Sequence, residues 1–267
     1  LRNDKDYLTG TGAGVTLNEA DKKALEMLLR SISVEVESKF KRVYEETENN
    51  EGLVFEERVK SVVSTYSSAT LNNTQRIVIS NEPDAQVFRY IKKAEVSAVF
   101  GARKQKIMEF VQTAEKAEAE GRAGDALRYH YWAFTLLRSH PDGNSLQYTD
   151  KAGNTHLLIS WLPLRLEEIL SRLKFQVQST ETAPNEFRVQ LDIRYKGQKV
   201  THLDYSYWDG RDWSALTTAK HGRGPLIFYG KNAADRSQAK LKVEYLYQSQ
   251  AHIDRELAQV MEHVPGI

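Results

Sequence analysis

The densest group of aromatic and charged side chains lies between Tyr205 and Trp213, in the sequence YSYWDGRDW. Exposed tryptophan and tyrosine rings at the edge of a β-domain stack on sugar rings or anchor a partner protein, because they bury a large area at a small entropic cost. The central Asp209-Gly210 pair is a strong hairpin dipeptide. The segment therefore predicts an aromatic hairpin with the chemistry of a glycan- or peptide-binding site.

The strand before this hairpin decides which of the aromatic rings reach the surface. Tyr205 and Tyr207 alternate along the strand, and only one face of a half-buried strand packs on the core. We assign both tyrosines to that face, so Trp208 and Trp213 are the better surface candidates. The predicted ligand-binding residues are Trp208, Trp213, Tyr207 and Asp209. The alternative interpretation is that these rings only pack inside the β-domain.

A second candidate for ligand binding is the basic segment from Lys220 to Pro225, KHGRGP, in which cations alternate with glycines. Such a segment could hold an anion. The alternative is an ordinary solvated loop.

The other residue types form no recognisable catalytic or metal-binding pattern. The chain has no cysteine, which excludes a thiol nucleophile, a thiolate metal site and a disulfide. Its seven histidines lack HExxH or similar ligand spacing, and no GxSxG or P-loop sequence occurs. We expect no enzyme activity, no cofactor and no metal. A pair of carboxylates distant in sequence stays open as a hydrolase alternative.

Charge and hydropathy narrow the classes of partner. The 267 residues include 37 Lys+Arg and 36 Asp+Glu, so no basic excess points to nucleic acid or to anionic lipid. No apolar run reaches the ~18–20 residues of a membrane span. The expected partner is therefore an unidentified protein or glycan.

The residues from Tyr7 to Phe40 predict a strand, a glycine turn, a capped helix and a second strand. Gly10, Gly12 and Gly14 have GxGxG spacing, which differs from the GxGxxG of dinucleotide-binding turns. We interpret them as a structural turn that allows positive φ and close helix packing. Thr16 and Glu19 have the spacing of a capping box at the start of the helix.

After this helix, the apolar period changes from helical spacing to two. Ile32, Val34, Val36, Phe40 and Tyr44 share one face of an alternating pattern, which predicts a half-buried strand. The following elements are a helix over 53–71, a short strand at 76–80 and a central strand from 86 to 100.

One pattern of glycines, alanines and β-branched residues runs through this module: Tyr7, Gly10, Gly12, Glu19-Ala20-Asp21, Ala24-Leu25, Ile32-Ser33-Val34-Glu35-Val36, Tyr66-Ser67-Ser68, Leu71 and the strand at Arg76. Over residues 5–99 this pattern resembles the lipoprotein-20-like family of bacterial envelope proteins. The resemblance implies an outer-membrane or secreted location, lipid attachment through an upstream cysteine, and no established catalytic residues. Since the chain begins at Leu1, we expect the signal sequence and the anchor to precede it.

The predicted fold class is a multi-module α+β protein with four segments. An α+β module at 1–100 precedes a helical spacer at 101–172, which combines a tetratricopeptide-like hairpin with a third helix. A peptide-binding groove is the alternative role for this spacer. About six alternating strands at 173–250 predict an immunoglobulin-like β-sandwich. A C-terminal helix at 251–267 then docks on the sandwich or leads into further sequence.

Two local expectations complete the prediction for the helical segment. The loop from Pro141 to Asn154 is polar and is expected to be exposed. His130, in the middle of the second helix, is expected to be exposed or satisfied in packing.

The sequence thus predicts a non-enzymatic, exported and lipid-anchored cell-envelope protein that acts as a structural or interaction scaffold, periplasmic or on the surface. The alternative is a surface glycan- or peptide-binding protein that uses the aromatic rim of the β-sandwich.

Overall fold

A mixed α+β architecture with several antiparallel sheets appears in the computed structural model, which describes residues 5–45, 63, 65–66, 73–230 and 238–263. For 41–45 and 263 it describes only the backbone. The chain forms two compact units. Unit 1 comprises the described residues of 1–106, 135–146 and 251–267, and unit 2 comprises those of 107–134 and 147–250.

Unit 1 is built on a three-stranded antiparallel sheet with one long helix against it. Strand β1 (Tyr7–Gly14) leads into helix α1 (Leu17–Glu45), and strands β2 (Gln75–Ser80) and β3 (Ala85–Lys92) follow. The strand order is β1-β3-β2, so β3 is central, as its sequence predicts. Thr16 Oγ1 accepts the N–H of Glu19, while the Glu19 carboxylate accepts that of Val15 rather than Thr16, which is a variant of the predicted capping box.

The predicted glycine turn is wrong, because Gly10, Gly12 and Gly14 lie inside strand β1. None of the three has a positive φ. They are small because α1 lies directly on them: a Cβ on Gly12 would be 2.1 Å from the carbonyl oxygen of Ala20. The predicted close helix packing is therefore confirmed.

The predicted strand from Ile32 to Tyr44 is also wrong, since α1 continues without a break to Glu45. Ile32, Val36 and Phe40 are buried, whereas Val34 is 66% exposed. A spacing of four residues satisfies a period of two as well as a helical period, so the sequence pattern was ambiguous.

Helix α2 (Lys93–Ala119) begins directly after β3, so the strand predicted to reach Phe100 ends eight residues earlier at Lys92. The helix predicted over 53–71 lies largely outside the described residues, although Val63, Thr65 and Tyr66 are helical. Glycine and arginine at 121 and 122 separate α2 from α3 (Ala123–Arg138), as predicted for the helical hairpin.

The C-terminal helix, α5 (Arg255–His263), belongs to unit 1. The guanidinium of Arg103 in α2 is fully buried and pairs with Glu256 at 2.6 Å. It also donates to Ser139 Oγ at 3.0 Å and lies 3.8 Å from the centre of the Tyr66 ring. These contacts hold α5 on unit 1.

Unit 2 combines helices with nine strands among the described residues. A hairpin of β4 (Gln147–Thr149) and β5 (Thr155–Leu157) precedes α4 (Leu158–Ser171). The loop predicted to be exposed therefore contains a strand, and its Leu146 and Tyr148 are buried. The strands that follow are β6 (Leu173–Ala183), β7 (Glu186–Tyr195), β8 (Gln198–Lys199), β9 (Leu203–Tyr207), β10 (Thr217–Ala219), β11 (Arg223–Tyr229) and β12 (Leu241–Val243).

The strands from β6 to β12 form two antiparallel sheets. One has the order β11-β7-β6, with β8 paired to the last residues of β7, and the other has the order β10-β9-β12. The hydroxyl of Tyr205 in β9 donates to the carbonyl of Pro225 in β11 at 2.9 Å, which links the two sheets. Tyr205 and Tyr207 are buried, as predicted. The specific immunoglobulin-like arrangement is not confirmed by these strand orders.

Candidate functional site

The predicted aromatic hairpin exists and brings its two tryptophans together. Trp208 and Trp213 pair as an isolated antiparallel bridge after β9. Their ring centroids are 5.9 Å apart and the rings meet edge to face at 71°. Trp208 is half-buried and Trp213 is 46% exposed. One indole thus supports the other, and the outer indole presents an apolar surface to solvent.

Asp209 fixes the turn between the two tryptophans. Its Oδ1 accepts the backbone N–H groups of Arg211 at 2.7 Å and Asp212 at 2.9 Å. Its own N–H donates to the carbonyl of Asp212 at 3.0 Å, and Gly210 takes a φ of +110°. Such side-chain bonds pre-order a turn before any ligand arrives. Asp209 is therefore a positioning residue for Trp208 and Trp213.

Tyr207 supports the hairpin from below. It is 8% exposed, and its ring meets Phe228 edge to face at 5.4 Å. Its hydroxyl donates to the carbonyl of Ile227 at 3.0 Å and accepts the Ile227 N–H at 2.9 Å. The structure therefore places the Tyr207 side chain in the core of unit 2, against β11.

The basic segment at 220–225 is a tight hairpin turn between β10 and β11. His221 and Gly222 at its tip have φ values of +51° and +75°. The N–H of Lys220 donates to the carbonyl of Arg223 at 2.9 Å, and the reverse bond measures 3.0 Å. The N–H of Gly222 donates to Val200 at 2.6 Å. These amides are occupied within the fold, so they are not offered to an anion.

A buried carboxylate network that the sequence pattern did not reveal is centred on Glu118 of α2. The Glu118 side chain is 8% exposed and accepts hydrogen bonds from Tyr195 and Lys196, each at 2.8 Å, and from Arg165. Burial alone would raise its pKa, but the bonds from Lys196, Arg165 and Tyr195 outweigh burial and lower it to about 2. The residues of this network are far apart in sequence, so no spacing signal could have found them.

The same network lines a polar cleft of about 420 Å³. In its wall, the Tyr148 hydroxyl donates to Glu115 at 2.7 Å, and His156 Nε2 lies 2.9 Å from Asp150. The hydrogen bond to His156, helped by backbone N–H groups, lowers the pKa of Asp150 to about 2. Each of the three carboxylates that line this cleft has a hydrogen-bond partner among the described residues.

His130 lies in the core of unit 2. Its ring meets Trp161 edge to face at 5.7 Å, and its two nitrogens have no hydrogen-bond partner among the described residues. Burial, followed by the charge of Arg165, lowers its pKa to about 4. His130 is therefore a neutral packing residue at pH 7.

No three His, Asp or Glu side chains within the described ranges come close enough to hold a metal ion together. Over those same ranges, no helix has the length and apolar character that a membrane crossing requires.

Comparisons with family models, with curated proteins and with solved structures found no match for the chain. The resemblance to the lipoprotein-20-like family therefore stays a prediction made from the residues alone. Function has to be inferred from the geometry described above.

Proposed function

We propose that this protein is a non-enzymatic interaction protein of the bacterial cell envelope, and that its aromatic hairpin binds a glycan. The observation that carries the proposal is the exposure of Trp213 next to Trp208 on a turn that Asp209 fixes. A rigid aromatic surface binds with little loss of side-chain entropy, which is how aromatic hot spots act.

A glycan fits this surface better than a peptide because of the neighbouring groups. The turn carries the exposed side chains of Arg211 and Asp212 beside the indoles. Charged side chains can donate to and accept from sugar hydroxyls, while the apolar face of a sugar ring stacks on Trp213.

The resemblance of residues 5–99 to the lipoprotein-20-like family supports the proposed envelope location and lipid anchor. An immunoglobulin-like arrangement of the strands at 173–250 would suit the same role, because such domains present hairpins at their ends. A structural scaffold without glycan affinity is the alternative function.

Co-sedimentation with purified peptidoglycan sacculi tests the glycan proposal. The wild-type chain is expected to sediment with the sacculi, and Trp213→Ala and Trp208→Ala are expected to stay in solution. Tyr229→Ala is the matched control, since Tyr229 is an aromatic residue that is 72% exposed outside the hairpin. If wild-type protein does not bind, or if all variants bind alike, the scaffold function becomes the better account.

A further inference from the structure

Unit 2 contains a second cavity, of about 450 Å³, whose wall is built by α3, β9, β10 and the segment after β12. Its lining includes Asp125, Arg128, Asp204, Thr218, Tyr247 and Gln250. This volume lies within the range of small-molecule sites in proteins. The aromatic hairpin contributes no residue to it, so the two sites can be tested separately.

Asp204 is the unusual group in this cavity because it is a buried carboxylate without a cation. It is 6% exposed. Its carboxylate accepts hydrogen bonds from the Thr218 hydroxyl and, at 3.4 Å, from Gln250 Nε2, and no described residue forms an ion pair with it. An ionised carboxylate removed from water is costly unless a positive charge compensates it. Among the described residues, only neutral groups bond to the Asp204 carboxylate.

The nearby Arg128 does not supply the missing charge. Its Nη2 pairs with Asp125 at 2.7 Å, and its Nη1 donates to Gln250 Oε1 at 2.5 Å. Asp125 also pairs with Arg122, which in turn pairs with Glu120. These two cations and two anions balance each other. Among the groups that line the cavity, which also include His202, Arg128 is thus paired with Asp125, and the Asp204 carboxylate has only the neutral partners Thr218 and Gln250.

Tyr247 provides a second group that lacks a partner. It is 3% exposed, and its hydroxyl has no hydrogen-bond partner among the described residues. Burial raises the pKa of this hydroxyl, and the negative charge of Asp204 adds to the effect. Its backbone has a φ of +49°, which is rare for a bulky side chain. The phenol thus offers an unpaired hydroxyl to a ligand in this cavity.

We propose that this cavity binds a small organic ammonium ion, a protonated amine, which pairs with Asp204 and donates to the Tyr247 hydroxyl. The Asp204 carboxylate attracts such a cation by charge, and the Tyr247 hydroxyl can accept one of its N–H groups, while the Arg128 guanidinium already lies 5.7 Å from the centre of the Tyr247 ring. A neutral polyol would leave the charge of Asp204 unpaired, and an anion would be repelled by it. A water molecule would satisfy Tyr247 but would not compensate the charge.

Titration of the full chain by proton–nitrogen NMR tests the proposal with three probes of equal length: butylammonium chloride, butan-1-ol and sodium butyrate, all at one ionic strength. Butylammonium is expected to cause saturable shifts in the backbone amides of Asp204, Thr218 and Gln250. The alcohol and the carboxylate are expected to cause none. Absence of saturable shifts with butylammonium, or equal shifts with butyrate, would overturn the proposal.

Two substitutions and a control locate the site. Asp204→Asn keeps an acceptor for the Thr218 hydroxyl but removes the charge, so the affinity for butylammonium is expected to fall at least tenfold. Tyr247→Phe should weaken binding by a smaller factor. Asp212→Asn, at an exposed aspartate of the aromatic hairpin, should bind like the wild type. Unchanged affinity in Asp204→Asn would contradict the proposal, and if that variant is unfolded, unchanged affinity in Tyr247→Phe would do the same.

The outcome is independent of glycan binding. A Trp213→Ala chain should retain its affinity for butylammonium even where it no longer sediments with sacculi. If one of the two sites binds no ligand, the test of the other site is therefore unaffected.

Discussion

The carboxylate of Glu118 and the hydroxyl of Tyr195 lie 2.8 Å apart, and Lys196 and Arg165 donate to the same carboxylate. Glu118 belongs to α2, Arg165 to α4 and Tyr195 to β7. One buried carboxylate therefore ties helices of unit 2 to its sheet. Side chains that converge in this way stabilise a fold only while the central charge is present.

Replacing Glu118 by glutamine is expected to lower the free energy of unfolding by about 2–3 kcal/mol, because Arg165 and Lys196 lose their shared anion. Urea denaturation at pH 7 measures this loss. Glu120→Gln is the matched control, since that glutamate is 46% exposed and should change stability by less than about 0.5 kcal/mol. Equal effects of the two substitutions would contradict the role of the buried network.

The comparison of wild type with Glu118→Gln also predicts how the stabilisation by Glu118 depends on pH. Because the folded state lowers the pKa of Glu118 to about 2, its ionised form stabilises the fold fully above the unfolded pKa near 4.5. That contribution is lost as the pH falls from about 4.5 towards 2. The difference in unfolding free energy between wild type and Glu118→Gln should therefore shrink between pH 5 and pH 3. A constant difference would show that Glu118 acts by packing alone.

Gly12→Ala is expected to destabilise the chain by about 3 kcal/mol or more, since the new Cβ would lie 2.1 Å from a backbone oxygen and 2.4 Å from a backbone nitrogen of α1. Thermal unfolding followed by circular dichroism measures the effect. Gly101→Ala in α2 is the control, because nothing lies within 4 Å of its Cβ and alanine favours a helix by up to about 1 kcal/mol. A tolerated Gly12→Ala would mean that α1 does not rest on β1.

These glycines illustrate how far the sequence predicts the fold. The types and order of β1, β2, β3 and the helical hairpin follow from local patterns, and so does the close contact of α1 with β1. The prediction of a turn at Gly10–Gly14 was wrong because a glycine needed for a positive φ and a glycine needed for the close approach of another element cannot be told apart in a sequence. Only the position of α1 on β1 shows which of these two roles the glycines have.

A pair of valine substitutions tests whether α1 continues through Ile32–Tyr44, where the sequence pattern predicted a strand. Val36→Ala is expected to cost about 2 kcal/mol because Val36 is fully buried, whereas Val34→Ala should be neutral or slightly stabilising because Val34 is 66% exposed in a helix. In the strand predicted from the sequence, both valines would share one face and their substitutions would cost about the same. Equilibrium denaturation of the two variants separates these cases.

Arg103→Met is expected to destabilise unit 1 by about 3 kcal/mol, because the substitution leaves the partly buried Glu256 without its closest cation. Amide hydrogen exchange in α5 should accelerate most, since Arg103 holds this helix. Arg76→Met provides the control, because that arginine is 48% exposed and its ion pair with Asp21 is longer, at 3.4 Å. Unchanged exchange in α5 would contradict the anchoring role of Arg103.

The candidate sites differ in how well the sequence could predict them. Trp208, Asp209 and Trp213 are neighbours in sequence around a hairpin dipeptide, so local patterns placed them together. The Glu118 network and the Asp204 cavity combine residues more than 40 positions apart. Their proximity depends on how α2, α3 and α4 meet the C-terminal strands within unit 2, which no local period encodes.

The central claim is that the aromatic hairpin is a glycan-binding surface. Isothermal titration calorimetry with chitohexaose, a chain of six N-acetylglucosamine units, tests it most directly with wild type, Trp213→Phe, Trp213→Ala and the Tyr229→Ala control. We predict saturable binding to wild type and control, a modest loss in Trp213→Phe, and a loss of roughly 30-fold, about 2 kcal/mol, in Trp213→Ala. Binding of equal affinity to wild type and to a folded Trp213→Ala, or no binding to wild type, would contradict the claim.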